Sequence, residues 1–87
     1  MHIKYSRQAA KFIASQDKDT KQRLKRGIEG LTEIPPSGDV KLLQGYKNKV
    51  YRLRIGKYRI IFYYENDTYQ QRILFISDVD SRGDIYK

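Results

Sequence analysis

The stretch VYRLRIGKYRIIF, residues 50–62, decides how this chain folds. Two runs of alternating apolar and polar residues, 50–55 and 58–65, flank the dipeptide Gly56-Lys57. A two-residue connection with glycine first is typical of a type II′ β-hairpin, so we predict two antiparallel strands in which Ile55 pairs with Tyr58. This turn sets the register of the pair.

The predicted register sorts the hairpin side chains onto two faces, because successive residues of a strand point to opposite sides. One face is apolar and is predicted to meet the core: Tyr51, Leu53, Ile55, Tyr58, Ile60 and Phe62. On the other face Arg54 lies opposite Arg59, and Arg52 lies opposite Ile61. Three arginines are therefore expected on one side of the sheet.

Like charges directly opposite one another destabilise a sheet by a few tenths to about 1 kcal/mol. We therefore expect an anion to occupy the arginine side. The alternative is that the carboxylates of Glu65, Asp78 or Asp80 fold back and pair with the arginines internally. Arginine suits phosphate because its planar fork binds two oxygens at once and stays charged at cellular pH.

The regions on either side of the hairpin complete the predicted fold. Alternation over 2–5 indicates a short strand, and Ser6 is placed to cap a helix that turns Ala9, Phe12 and Ile13 inward. A second helix starts near Asp17 or Asp19 and ends before two prolines, and its buried face is predicted to be Leu24, Ile28 and Leu31. Gly27 and Gly30 on this helix are explained by close approach of the first helix.

After the hairpin, Asn66 and Asp67 indicate a turn, and residues 69–77 supply a further strand. Helices first and a strand meander afterwards predict an α+β domain, with two N-terminal helices packed on one face of a mainly antiparallel sheet. The length of 87 residues predicts that 1–87 form a single domain with a small core. The opposite face of the sheet, which carries the arginines, is predicted to remain open.

Charge indicates the class of partner. Eighteen Lys and Arg against ten Asp and Glu give a formal net charge of +8. Residues 40–64 contain no acidic residue and interleave five tyrosines with cations, among them the candidate phosphate-binding lysines Lys41, Lys47, Lys49 and Lys57. Cations track a nucleic acid backbone and aromatic rings stack on exposed bases. RNA, DNA or an acidic protein would each suit this charge, and a solvated basic surface is the plain alternative.

The absence of cysteine rules out a disulfide framework, a thiolate nucleophile and a Cys-based zinc site. The apolar run over 60–64 is far shorter than the roughly 20 residues that span a bilayer. We therefore expect a cytoplasmic protein without a membrane segment.

The order of motifs resembles the RelE/ParE superfamily of bacterial and archaeal toxins, and the RelE branch most. The likeness rests on the hairpin stretch, on VKLLQG at 40–45 before it, and on Ile76-Ser77 and the RGDIY segment at 82–86 after it. It implies a RelE-like, microbial RNase-like fold in the toxin of a type II toxin-antitoxin module. Such a toxin enters the ribosomal A site and cleaves mRNA there, without a metal or other cofactor.

The resemblance also implies roles for individual residues. Arg59 matches the arginine that stabilises charge on the scissile phosphate. Arg52 and Arg54 stand where well-known RelE toxins carry lysines, one of which is the leading general-base candidate, and arginine does not readily release a proton. Arg82 and Tyr86 match the C-terminal arginine and the tyrosine that stacks on a base. Several groups are left as candidates for the base: Asp78, Asp80, Lys49 and Lys57.

Two further functions stay open. A ParE-like toxin would share the fold and inhibit DNA gyrase through protein contacts, with no phosphate chemistry. A family member without activity would only bind its antitoxin. The predicted partners are accordingly a cognate antitoxin, RelB-like or of another family, together with the ribosome and mRNA. His2 is predicted to lie on the surface, Tyr51 and Tyr58 are predicted to pack in the core, and the role of Tyr46 stays open. The basic face of the second helix is either a solvated surface or a site for rRNA phosphates: Lys18, Lys21, Arg23, Lys25 and Arg26.

Overall fold

The computed structural model describes residues 1–81 of the protein. Its elements follow the order β1 (His2–Tyr5), α1 (Arg7–Ala14), α2 (Lys18–Gly30), β2 (Asp39–Leu43), β3 (Val50–Ile55), β4 (Tyr58–Asn66) and β5 (Arg72–Asp80). The strands form one sheet in the order β1-β5-β4-β3-β2, in which β1 runs parallel to β5 and the other pairs are antiparallel. The predicted α+β class is confirmed.

Each helix begins at a side-chain cap. The Ser6 hydroxyl accepts a hydrogen bond from the Ala9 N–H at 3.1 Å, and the Asp17 carboxylate accepts one from the Thr20 N–H at 2.8 Å. Such caps stabilise a helix by about 1 kcal/mol because they satisfy a backbone donor that has no partner within the helix. The same bond lowers the pKa of Asp17. No helix within residues 1–81 is long and apolar enough to cross a membrane.

The core lies between the helices and one face of the sheet. Ala9, Ile13, Leu24, Ile28 and Leu31 are buried on the helices, as predicted. They pack against a set of buried strand residues: Leu53, Tyr58, Ile60, Phe62, Leu74, Ile76 and Val79. Full burial of one large apolar side chain contributes roughly 1.5 to 3 kcal/mol, so this layer holds the helices on the sheet.

The explanation that sequence analysis gave for Gly27 and Gly30 is wrong. A Cβ added at Gly27 would collide with the Ile55 side chain of β3, and one added at Gly30 would meet Ser37 at 3.1 Å. The close neighbours are therefore the hairpin and the loop after α2, and the first helix is not among them. Because Gly27 has no side chain, the backbone of α2 packs directly against the end of β3.

The hairpin confirms the predicted register. Gly56 has φ +57°, the left-handed value that a type II′ turn requires at its first central position. Ile55 pairs with Tyr58 and Arg54 with Arg59. β5 differs from its predicted bounds of 69–77, since the Asp67 carboxylate accepts hydrogen bonds from the Tyr69 and Gln71 N–H groups and holds a turn. The strand starts only at Arg72 and continues to Asp80.

A β-bulge at Ser77 changes which residues of β5 face the core. The register passes from Phe62 opposite Ile76 to Ile61 opposite Asp78, which leaves Ser77 as the extra residue. Before the bulge the core-facing residue is Ile76, and after it the core-facing residue is Val79. The acidic residues that follow Ser77 are thereby placed on the face opposite the helices.

The start of α1 fixes the bulged segment. The Ser6 hydroxyl donates to the Ser77 carbonyl at 2.7 Å. The Gln8 side-chain amide donates to the Val79 carbonyl at 2.7 Å and accepts from the Val79 N–H at 3.0 Å. β1 pairs with β5 only as far as Ile76, so the Gln8 amide takes the place of a strand neighbour for Val79.

Replacing Gln8 with alanine is expected to destabilise the fold by about 1 kcal/mol, because the Val79 N–H and carbonyl lose their partners. Urea denaturation followed by circular dichroism measures the change. Gln22→Ala, at an exposed position of α2, is the matched control and should stay within about 0.5 kcal/mol of the parent protein. Equal stability of the two variants would contradict the role given to the Gln8 amide.

Candidate functional site

Three arginines of the hairpin share the face of the sheet opposite the helices. The register places Arg54 against Arg59 and Arg52 against Ile61, as predicted. The core-facing residues between them, Leu53 and Ile60, are 1% and 0% exposed. Within residues 1–81 every helix packs on that apolar side, so the arginine face is not covered by a second layer. We call this surface the open face.

Carboxylates flank the arginines across the sheet. One row of directly paired residues reads Asp39, Arg54, Arg59 and Asp80 from β2 to β5. Asp80 Oδ2 lies 3.8 Å from Arg59 Nη2, and Asp39 Oδ2 lies 3.7 Å from Arg52 Nη1. The predicted internal alternative is thus realised at Asp80, and Asp39 joins it, whereas neither Glu65 nor Asp78 forms an ion pair among residues 1–81.

These ion pairs neutralise the arginines only in part. Charge-assisted N–H···O bonds have lengths of about 2.7 to 2.9 Å, and both contacts are longer by nearly 1 Å. Arg52 Nη1 and Arg59 Nε are buried and have no hydrogen-bond acceptor. Arg54 is exposed and, within the described part of the chain, has no carboxylate oxygen within 4 Å. The open face therefore offers the exposed guanidinium of Arg54 to an added anion.

The candidate lysines are dispersed around this group. Lys41 lies on β2 directly beside Arg52, and Lys57 forms the hairpin turn next to Arg59, with its Nζ 5.6 Å from the centre of the Tyr58 ring. Lys47 and Lys49 are exposed in the loop before β3, at the other end of that strand. That end is roughly 13 Å from Arg54, since four residues of a strand span about this length.

The candidates for a general base differ in their position relative to the arginines. Asp80 is beside Arg59, and Asp78 follows the bulge in the neighbouring row, where its carboxylate contacts the Ser77 hydroxyl at 3.2 Å. Lys49 is remote from the arginines. Arg82 and Tyr86 lie outside the described residues, so their proposed roles rest on the sequence.

An aromatic pair on the open face was missed by sequence analysis. Tyr63 of β4 and Phe75 of β5 stack with ring centres 5.1 Å apart and an angle of 23° between the planes. The signal was available, because Tyr63 has the same parity along its strand as Arg59 and therefore shares its face. The sequence-based prediction gave packing roles to Tyr51 and Tyr58 and none to Tyr63.

Two clefts within residues 1–81 lie on the helix side of the sheet. One is lined mostly by apolar residues of β1 and the helices, with Lys21, Lys25 and Glu29 at its rim. The other is bounded by Tyr51, Phe62 and Tyr64 below the end of α2. Burial raises the pKa of Tyr64, whose hydroxyl donates to the Leu31 carbonyl at 2.7 Å. Neither cleft contains an arginine of the open face.

Metal ligation finds no support in the described region, where no three His, Asp or Glu side chains converge on one point. The chemistry available on the open face is therefore that of guanidinium, ammonium and carboxylate groups. Such an arrangement can bind a phosphate chain, hold charge on a reacting phosphate, and offer a carboxylate for proton transfer.

Comparisons with known proteins agree with this architecture. The family model described as the ParE toxin of the type II toxin-antitoxin system, parDE, matches residues 3–86. Among solved structures, the chain is similar to a chain of the toxin-antitoxin complex RelBE2 from Mycobacterium tuberculosis, with a TM-score of 0.66 and 18% identity. That alignment covers 93% of this chain and 96% of the other, and it supports the fold. No curated protein sequence matches the chain.

Replacing Arg54 with threonine is expected to stabilise the protein by up to about 1 kcal/mol at low salt, because it removes the repulsion from Arg59 and keeps a strand-forming residue. The gain should shrink in 1 M NaCl, where charges on the surface are screened. Thermal unfolding at both salt concentrations measures it. Lys47→Thr, in the exposed loop, is the matched control, and an equal gain there would show that the effect is one of net charge alone.

Proposed function

The chain belongs to the ParE toxin family of type II toxin-antitoxin systems, and from the arginines of its open face we propose that it binds mRNA in the ribosomal A site and cleaves it. The observation that carries the proposal is the pairing of Arg54 with Arg59 across the hairpin. This arrangement costs stability in the free protein, and among residues 1–81 no carboxylate oxygen lies within 4 Å of the exposed Arg54 guanidinium. A bound chain of phosphates would supply both the negative charge that offsets this repulsion and the oxygens that accept hydrogen bonds from the arginines.

The proposed reaction is an internal transesterification of RNA. The ribose 2′-oxygen attacks the adjacent phosphorus, a bond forms between them, and the bond from phosphorus to the 5′-oxygen of the next nucleotide breaks. The proton of the 2′-hydroxyl goes to a base, and the departing oxygen takes up a proton. The products are a 2′,3′-cyclic phosphate and a 5′-hydroxyl. No metal takes part in these steps.

Arg59 is proposed to stabilise the phosphorane that forms during the attack. Its guanidinium is always protonated, so it supplies positive charge throughout the reaction. Removing one such group from an acyl-transfer site costs about 10²- to 10³-fold in rate, and the loss at a phosphorane should be at least comparable. Arg52 and Arg54 are proposed to hold the neighbouring phosphates, with Lys41 and Lys57 at the margins. Arg82 and Tyr86 are proposed to complete the site from the C-terminal segment.

Asp80 is the proposed general base. Among residues 1–81 it is the acidic residue that approaches Arg59, at 3.8 Å, so a phosphate bound by this arginine would bring its 2′-hydroxyl close to a carboxylate. A phosphate that binds Arg59 also competes with Asp80 for the guanidinium. This assignment replaces the lysine of well-known RelE toxins with a carboxylate.

The proposed partner in resting cells is a cognate antitoxin. The similar RelBE2 chain was solved as a toxin-antitoxin complex. The net charge of +8 favours an acidic or amphipathic segment that folds when it binds.

Inhibition of DNA gyrase is the second candidate function. It is favoured by the family model, which is named for the ParE toxin, and by the carboxylates that already approach Arg52 and Arg59. A ParE-like toxin would use the same basic fold to contact a protein and would need no base.

Arg59→Ala is expected to abolish mRNA cleavage in cells without unfolding the domain. Mapping of mRNA 5′ ends after induction should show cuts within codons for the parent chain and none for the variant. Arg7→Ala, on the exposed start of α1, is the control and should leave the cuts unchanged. Intact transcripts with gyrase-linked double-strand breaks would select the gyrase function. Intact transcripts with no growth arrest would identify a member that only binds its antitoxin.

Asp80→Asn is expected to lower the rate of cleavage of ribosome-bound mRNA by about 10²- to 10⁴-fold, the usual contribution of general acid–base catalysis. The affinity for RNA should not fall, because the variant removes a negative charge. Single-turnover cleavage and RNA binding are measured side by side. Asp39→Asn, which removes the carboxylate beside Arg52, is the matched control. Similar rates for both variants would refute a proton-transfer role for Asp80.

A further inference from the structure

The stacked rings of Tyr63 and Phe75 form a flat apolar surface on the open face. Both side chains are half-buried, and no helix of residues 1–81 covers them. The stack contributes nothing to the core between helices and sheet, since Phe62 and Leu74 on the opposite face fill that space. The part of each ring that stays in water does not contribute the free energy that full burial would provide, and it remains available for stacking.

Cations border this aromatic pair. Lys4 of β1 is the direct register partner of Phe75, on the outer side of the sheet. Toward the hairpin turn, the next residue of β4 on this face is Ile61, and its partner on β3 is Arg52. Two carboxylates lie near the rings: that of Glu65, in the row beyond Tyr63, and that of Asp78, which is the β5 partner of Ile61. The rings thus lie on a path that leads from the arginines toward Lys4.

We propose that Tyr63 and Phe75 form a stacking platform for a base of single-stranded RNA, at a nucleotide that flanks the cleavage site. This inference rests on the proposed function and extends it from the phosphate to the base. Tyr63 is four residues from Arg59 along β4, which corresponds to about 13 Å. The platform is therefore too far away to hold the nucleotide whose phosphate contacts Arg59, and it takes a neighbour instead.

The occupant is identified by the combination of rings and charge. Every nucleobase has a π face, so stacking on an aromatic ring accepts any sequence, while nearby cations hold the connecting phosphates. An apolar segment of a protein would gain from the rings, but it would supply no negative charge to Lys4, and Arg52 would keep only its 3.7 Å contact with Asp39. The platform should consequently strengthen binding of RNA of any sequence, and it should affect KM more than kcat.

The test compares two ligands of equal charge on the whole chain. One is a ten-nucleotide RNA with 2′-O-methyl riboses, which cannot be cleaved because the attacking hydroxyl is blocked. The other is an abasic chain of the same length and chemistry. The variant Tyr63→Leu with Phe75→Leu keeps apolar bulk and removes both rings. Tyr69→Leu, at an 84% exposed tyrosine in the turn before β5, is the matched control.

The double variant is expected to bind the RNA at least about 5-fold more weakly than the parent chain and to bind the abasic chain equally well. The Tyr69→Leu protein should bind both ligands as the parent does. Unchanged affinity of the double variant for RNA, or an equal loss for both ligands, would overturn the platform. Thermal unfolding verifies that the variants fold, and the single change Tyr63→Leu serves if the double variant does not.

A separate variant distinguishes failure of the platform from failure of the proposed function. Arg54→Ala with Arg59→Ala should weaken both ligands and flatten the dependence of binding on salt, since each phosphate contact contributes to that slope. If this variant binds both ligands as the parent does, the open face is not an RNA site and the proposed function fails with the platform. If the arginine variant binds neither ligand while the ring variant binds both ligands as the parent does, only the platform is refuted.

Discussion

The register of the β3–β4 hairpin is the constraint on which the rest of the structure depends. Gly56 adopts a left-handed backbone conformation, and this allows Ile55 and Tyr58 to pair directly. A slip of one residue would exchange the faces of a strand, moving arginines into the core and leucine and isoleucine into water. The helices bind whichever face is apolar, so the same turn decides where α1 and α2 pack and which surface remains open.

A second local irregularity completes the open face. The bulge at Ser77 exchanges the parity of β5, so Asp78 and Asp80 share a face with the arginines while Val79 enters the core. Without the extra residue, two carboxylates would point into an apolar layer at a large cost in desolvation. The hydrogen bonds from Ser6 and Gln8 hold this segment at the point where β1 ends. The N-terminal end of α1 thereby helps to position Asp80 beside Arg59.

The open face combines a repulsion that lowers stability in the free domain with an aromatic pair that stays partly in water. Arg54 and Arg59 repel each other across the hairpin, and the flanking carboxylates relieve this repulsion only at distances of 3.7 and 3.8 Å. Exposed ion pairs of this kind contribute about 1 kcal/mol or less. Close by, Tyr63 and Phe75 stack without being fully buried. A bound chain of phosphates and bases would relieve the repulsion between the arginines and would stack on the rings.

The α+β class, the helix cap at Ser6, the hairpin register and the shared face of the three arginines could be derived from the sequence alone, whereas the start of the second helix could be narrowed only to Asp17 or Asp19. These features follow from local rules, because glycine in a two-residue turn and strict alternation leave few other arrangements. Only the tertiary structure decided that β3 approaches Gly27, that Asp39 and Asp80 flank the arginines, and that Tyr63 meets Phe75. Each of these contacts joins residues from different elements, and the bulge that aligns Asp80 is stabilised by side chains about 70 residues away. Contacts between residues so far apart in the sequence depend on packing, and a local sequence pattern does not predict them.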